Sequence, residues 1–301
     1  VHARRVREAD LAGEDDREPP SRSSSTAVPT GVDDGSVSRT VGPAPSQPAG
    51  HLRGRAPALA FAPMTGSEAT AVVRTSIEGP VAVIDLDDGK ANALGFDVLA
   101  GLDAALDRAE QDADAVALVG RPGRFSAGFD LSVMTSGPEG ARDLLGRGAE
   151  LGLRLFESPL PVALGVTGHA LAMGGILLCC ADVRIGADGP FKIGLNEVAI
   201  GMPVPSFAVE ICRDRLSPRA FTRAIQLARI HGPGEAVEAG FLDEVVEADA
   251  VRARTVEVAA ELAERLHRGP FRATRRTVRS QLVADLRSQL AADLAAFDVS
   301  G

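Results

Sequence analysis

The sequence predicts an α/β fold with a mostly parallel core sheet. Two observations carry this expectation. Short, continuously apolar runs are bounded by turn residues, and between them lie longer stretches with apolar residues at helical spacing. No internal repeat is visible along the 301 residues.

The elements follow in order. "AVVRTSI" (71–77) and "VAVIDLD" (81–87) read as a hairpin turning at Glu78-Gly79-Pro80. Residues 95–112 place Phe96, Leu99, Leu102 and Leu106 on one helical face. "AVALVG" (115–120) is a short buried strand. Residues 139–157 read as a helix stopped by Ser158-Pro159. "PVALGV" (161–166) and "DVRIGA" (182–187) are two more strands, and long amphipathic helices fill 249–267 and 271–297.

Composition narrows the function classes. With 45% apolar and 24% charged residues the chain can bury a core, and without Trp or Tyr that core is aliphatic. Its net charge of −9 argues against broad binding to nucleic acid or to anionic membranes. The 30 Arg against two Lys, Lys90 and Lys192, reflect a GC-rich coding bias. Three cysteines, Cys179, Cys180 and Cys212, are too few and too apolar in context for a disulfide framework or a metal site. They read as buried thiols in a reducing cytoplasm. No apolar run is long enough to cross a membrane.

Residues 1–63 stand apart. They hold eight of the 19 prolines and a serine cluster, and their eight Arg balance eight acidic residues. Such a segment buries too little apolar area to offset its ordering entropy, so it is expected to be a disordered extension. Ordered patterning begins near Met64, the expected natural start. The expected organisation is a core over 64–255 and a C-terminal helical region over 256–301.

"GHALAMGGILLCCAD" (168–182) carries two adjacent glycines, Gly174 and Gly175, in an apolar run where each costs roughly 1 kcal/mol relative to alanine. The stretch follows the strand "PVALGV" and reads as a tight loop entering a helix. Unpaired N–H groups and the positive helix end collect there, and glycines let an anionic oxygen approach the backbone. A tight strand–helix crossing with no ligand explains the same residues. "GRFSAGFDLSVM" (123–134) leaves the strand "AVALVG" in the same way through Ser126, Ala127 and Gly128. Two such exits can aim two N–H groups at one oxygen, the arrangement that stabilises a thioester enolate. Asp130 reads as a cap in this stretch.

With these motifs in hand, the chain resembles the crotonase (enoyl-CoA hydratase/isomerase) superfamily. The resemblance rests on "FSAGFDL" (125–131), "GHALAMGGILLCCADVRIG" (168–186), "GLNEVAIGMPVP" (194–205) and "AGFLDEVV" (239–246), in that order. It implies a spiral of ββα units, a C-terminal helical region that mediates assembly, and homotrimers or hexamers. It implies an acyl-CoA thioester as substrate, CoA being part of that substrate and no separate cofactor being needed. The implied oxyanion hole takes the N–H groups of Ala127 and Met173, with Gly174 beside them. The family usually has three small residues where this chain has "AMG" (172–174), so the Met173 side chain must point away from the ligand. The implied CoA contacts are Lys90, Ala91, Asn92, Ala93 and Leu94, then Ala127, Gly128, Phe129, Asp130 and Leu131. Lys90 reads equally as a phosphate partner or a solvated surface lysine.

Hydratases of this family use two glutamates. One position is Ile176 here, and the other is Glu197. Two carboxylates suit addition of water, whereas one beside an oxyanion hole can still move a proton between carbons. The resemblance therefore implies enoyl-CoA isomerisation over hydration, with Glu197 as the catalytic acid–base. Glu210 is a weaker candidate for the vacant role. His169 reads as a packed loop residue and Asp182 as a cap. The alternatives are another crotonase reaction, such as thioester hydrolysis or decarboxylation, and an acyl-CoA-binding paralogue without turnover.

Overall fold

A computed structural model describes residues 72–297. The expectations for residues 1–63 and for a start at Met64 lie outside them. The chain begins with β1 (Val73–Glu78), β2 (Val81–Leu86), β3 (Ala93–Leu94) and α1 (Phe96–Asp112). It continues through β4 (Ala115–Gly120), β5 (Gly123–Ser126), β6 (Gly128–Phe129), α2 (Leu131–Met134) and α3 (Pro138–Phe156). Next come β7 (Val162–Val166), β8 (Gly168–Leu171), α4 (Met173–Cys180), β9 (Val183–Ala187) and β10 (Ile193–Gly194). Beyond them lie α5 (Ser206–Arg215), α6 (Pro218–Ile225), α7 (Pro233–Ala239), β11 (Glu244–Val246), α8 (Val251–Arg265) and α9 (Arg268–Ala296).

The main sheet has the order β1-β2-β4-β7-β9-β11. Only the β1–β2 hairpin is antiparallel, and every other neighbouring pair is parallel. The strands are continuously apolar because both faces are covered. In β2, Ala82, Ile84 and Leu86 enter the large core shared with α1, α3, α4 and α5, while Val81 and Val83 face Ala259 of α8. β4 alternates in the same way, with Val116 and Leu118 on one side and Ala115 and Ala117 on the other. A period of two thus survives inside an all-apolar sequence, but the side-chain types hide it.

Two small sheets lie outside the sequence reading. β10, β8 and β5 form a parallel three-stranded sheet, and β3 pairs with β6. Residues 168–171, expected to be a loop, are β8. The expected boundary at 255/256 falls within α8, whose Thr255 and Ala259 are fully buried against the main sheet. That helix is part of the core, because it covers one whole face of the sheet.

Candidate active site

A cavity of about 300 Å³ opens where β3, β6, α2 and the start of α4 meet the segment 196–205. Its wall is apolar: Ala91, Ala93, Phe129, Leu131, Met134, Leu145, Ile176, Ile200 and Met202 contribute, and Phe297 closes one side from the end of α9. Asn196 and Glu197 are its polar residues, and Glu197 is the single carboxylate among its lining residues.

The glycines have a packing reason. A Cβ on Gly174 would fall 2.6 Å from the Ser126 carbonyl oxygen, and one on Gly175 would fall 2.8 Å from the Gly194 carbonyl oxygen. The first turn of α4 is therefore pressed between the backbones of β5 and β10, at distances that no side chain permits. This brings the two strand exits together. A Cβ on Gly128 would lie 2.8 Å from the Ala172 Cβ and 3.3 Å from the Met173 nitrogen. Ala172 turns the chain into α4 at φ 50° and ψ −125°, a region that favours glycine.

On the first exit the expected donor already has an acceptor. The Ala127 N–H donates to the Ala91 carbonyl at 3.0 Å and is spent. The Gly128 N–H donates to Ser126 Oγ at 3.1 Å. The Asp130 backbone N–H donates to the Leu94 carbonyl at 3.2 Å. Phe129 of β6, between Gly128 and Asp130, lines the cavity. On the second exit, Met173 is the first residue of α4 and its N–H has no acceptor within the helix. The Met173 side chain is fully buried and directed at α3, near Gly148 and Gly152, so it stays out of the cavity.

Glu197 sits at the start of a single 3-10 turn, Val198–Ile200, and is only 7% exposed. Burial raises its pKa to about 7, against a smaller opposing pull from the backbone N–H groups of Glu197 and Asn196. Its Oε2 is buried with no hydrogen-bond partner among the described residues, as is Asn196 Oδ1. A carboxyl with one unpartnered oxygen, ionising near neutrality beside an apolar cavity, suits proton transfer at carbon. Ile176, 2% exposed, lines the same cavity.

The other candidates separate. Lys90 is exposed, and its backbone carbonyl accepts from Arg121. Ala91, Ala93, Ala127, Phe129 and Leu131 line the cavity, whereas Asn92 and Leu94 are fully buried on the other side of the chain. The Asn92 amide donates to the carbonyls of Leu86, Arg124 and Phe125, and its Oδ1 accepts from the Asp88 N–H. Its side chain ties the two loops together and is not free for a ligand. Asp130 caps α2, accepting from both the N–H and the hydroxyl of Ser132, and these bonds hold its pKa below the usual value. Glu210 is on the surface, paired with Arg213 at 3.1 Å. His169 accepts the Lys192 N–H and meets the Phe191 ring edge-on at 5.5 Å.

Asn196, Met202 and Phe297 as wall residues were not legible in the sequence, and Phe297 is about a hundred residues from the cavity's other walls. The three cysteines are buried and free, and no cluster of metal-ligating side chains occurs among the described residues. None of the described helices is long and apolar enough to cross a membrane.

Comparison with known proteins places this geometry. The model of the enoyl-CoA hydratase/isomerase family matches residues 76–299. Mouse mitochondrial enoyl-CoA delta isomerase 1 is 34% identical over 193 residues, covering 62% of this chain and 67% of that protein. Its human counterpart is 32% identical over 60% of this chain and 62% of its own length, so the match spans about two thirds of these relatives. An enoyl-CoA isomerase from Mycobacterium tuberculosis, solved without ligand, superposes with a TM-score of 0.72 at 38% identity, covering 76% of this chain and all of that one. Human mitochondrial delta3-delta2-enoyl-CoA isomerase superposes at 0.71 with 29% identity, covering 74% of this chain and 89% of that one. By its matched sequence and its crotonase fold, this chain belongs to the enoyl-CoA hydratase/isomerase family.

Proposed function

We propose that the protein isomerises a 3-enoyl-CoA to the conjugated 2-enoyl-CoA and hydrates the product slowly. The observation that carries this reading is the cavity's single carboxylate, Glu197, with Ile176 lining the same cavity. The likeness to proteins named enoyl-CoA isomerase supports it.

The thioester oxygen accepts from the N–H groups of Phe129 and Met173. Glu197, ionised, takes a proton from C2, and the electron pair passes into a dienolate whose oxygen the two donors stabilise. The protonated Glu197 then returns its proton to C4, and the double bond rests between C2 and C3. No atom is gained or lost, so one carboxyl serves both transfers. Hydration needs a second group to hold and deprotonate water, and Ile176 cannot. That loss removes a contribution of about 10²–10⁴-fold, while the backbone donors, worth roughly 10²–10³-fold each, are untouched. CoA extends past Lys90–Leu94 and the segment Ala127–Leu131. Assembly into a homotrimer or hexamer is part of the same reading; exposed Val278 on α9, 71% accessible, supports burial of that helix by another subunit. The free thiols support a reducing compartment such as the cytoplasm.

The test follows both reactions in one sample by the absorbance of the conjugated thioester. Isomerisation is expected to outrun hydration, and Glu197→Gln is expected to abolish it. Hydration as fast as isomerisation, or full activity in Glu197→Gln, refutes the reading.

A further inference from the structure

Helix α3 carries four glycines, Gly140, Gly146, Gly148 and Gly152, although each costs a helix interior about 1 kcal/mol relative to alanine. Gly148 and Gly152 are spaced i, i+4 and so share a face. That face receives the side chains of Phe129 and Met173, the two residues proposed above as donors to the thioester oxygen. A Cβ on Gly148 would fall 2.3 Å from both Cε1 and Cζ of the Phe129 ring. The Met173 Cε lies 3.6 Å from the Cβ positions of both Gly148 and Gly152. Phe129 sits on a two-residue strand, and Met173 follows the strained Ala172 at the start of α4. What holds both is the same glycine seat on α3.

We infer that Gly148 is a positioning residue for the oxyanion hole: by letting the Phe129 ring rest on the α3 backbone, it sets the direction of the Phe129 N–H relative to that of Met173. This rests on the isomerase reading above. A methyl group at 148 would overlap the ring itself, so the ring must leave its seat, and the contact that fixes the Phe129 backbone against α3 is lost. The seat also explains how this chain tolerates Met173 between Ala172 and Gly174: its length fills the space that Gly148 and Gly152 leave open.

The experiment compares the full chain with Gly148→Ala, with Gly146→Ala on the same helix, and with Gly148→Ala/Phe129→Leu. A Cβ at 146 meets only the flexible tip of Leu294, at 3.1 Å, away from the cavity. Gly148→Ala is expected to lower kcat for isomerisation about 10–100-fold, part of what one oxyanion donor supplies, with KM changed less than threefold. The fraction of bound acetoacetyl-CoA present as enolate, read by its absorbance, is expected to fall with it. Gly146→Ala is expected to change neither. Gly148→Ala/Phe129→Leu, which removes the overlap and keeps the backbone N–H, is expected to recover at least tenfold of any kcat lost. If Gly148→Ala does not fold, the double variant carries the test, with kcat expected within tenfold of the native chain. Native-like kcat and enolate fraction in Gly148→Ala overturn the inference, as does a folded double variant that stays as impaired as the single one. A native chain with no isomerase turnover refutes the underlying reading instead.

Discussion

Arg275 on α9 reaches Asp182, at the end of α4, at 2.5 Å with its side chain only 6% exposed. The same guanidinium donates to the carbonyl of Ser158 at 2.7 Å, and Asp182 Oδ2 also accepts the Val162 N–H at 2.9 Å. Arg279 adds a second, longer contact to Asp182, at 3.5 Å. One buried ion pair thus ties the last helix to the loop that enters β7 and to the turn that precedes β9.

Removing one partner of a buried pair costs about 3–5 kcal/mol when the other charge is left uncompensated; Arg279 stays 3.5 Å from Asp182, which places the loss of Arg275 at the low end of that range. Arg275→Ala is expected to lose that much stability, read as a lower urea midpoint with an unchanged slope. Because Asp182 lies outside the cavity, turnover per folded molecule is expected to stay within a few fold. A loss below 1 kcal/mol, about the worth of a surface pair, would show that α9 is held by other contacts.

Glu197 has a pH signature of definite sign. As the proposed base it must be ionised, so kcat/KM is expected to rise with pH and level off above about 7, where its carboxyl ionises. Its folded pKa is raised from 4.5, so its contribution to stability is fully present below about pH 4.5 and is lost as pH rises through about 7. At about 1.4 kcal/mol for each tenfold change in proton affinity, the ionised carboxyl costs roughly 3 kcal/mol above pH 7. Glu197→Gln is therefore expected to be more stable than the native chain at pH 8 by up to that amount, and no more stable at pH 4. Equal urea midpoints at pH 8 would contradict the burial that sets this pKa.

Ala172 occupies a backbone region that costs an alanine about 1–3 kcal/mol. Glycine relieves the strain but loses more freedom on folding, roughly 0.5–1 kcal/mol. Ala172→Gly is expected to gain about 1 kcal/mol net, a rise of some 2–4 °C in Tm by scanning calorimetry for a domain of this size. A fall in Tm would mean that the freedom glycine loses on folding outweighs the strain it relieves.

The sequence by itself determined five of the six strands of the main sheet, the helices at 95–112, 139–157, 249–267 and 271–297, and the two strand exits. These are long or strongly patterned segments, and local periodicity and turn residues specify them without help. It also pointed to Glu197 and to Ile176, because both lie in motifs carried by short contiguous stretches. Tertiary structure decided the rest. Which N–H groups remain for a ligand depends on the pairing of two-residue strands, and it left Ala127 bonded to Ala91. Whether α8 belongs to the core depended on a sheet face needing cover, which no local pattern records. The pKa of Glu197 comes from burial by segments far apart in the chain. The role of Gly148 appears only when a phenylalanine nineteen residues earlier folds back onto it. In each case the deciding quantity is a distance between segments remote in sequence, set by the packing of the whole domain.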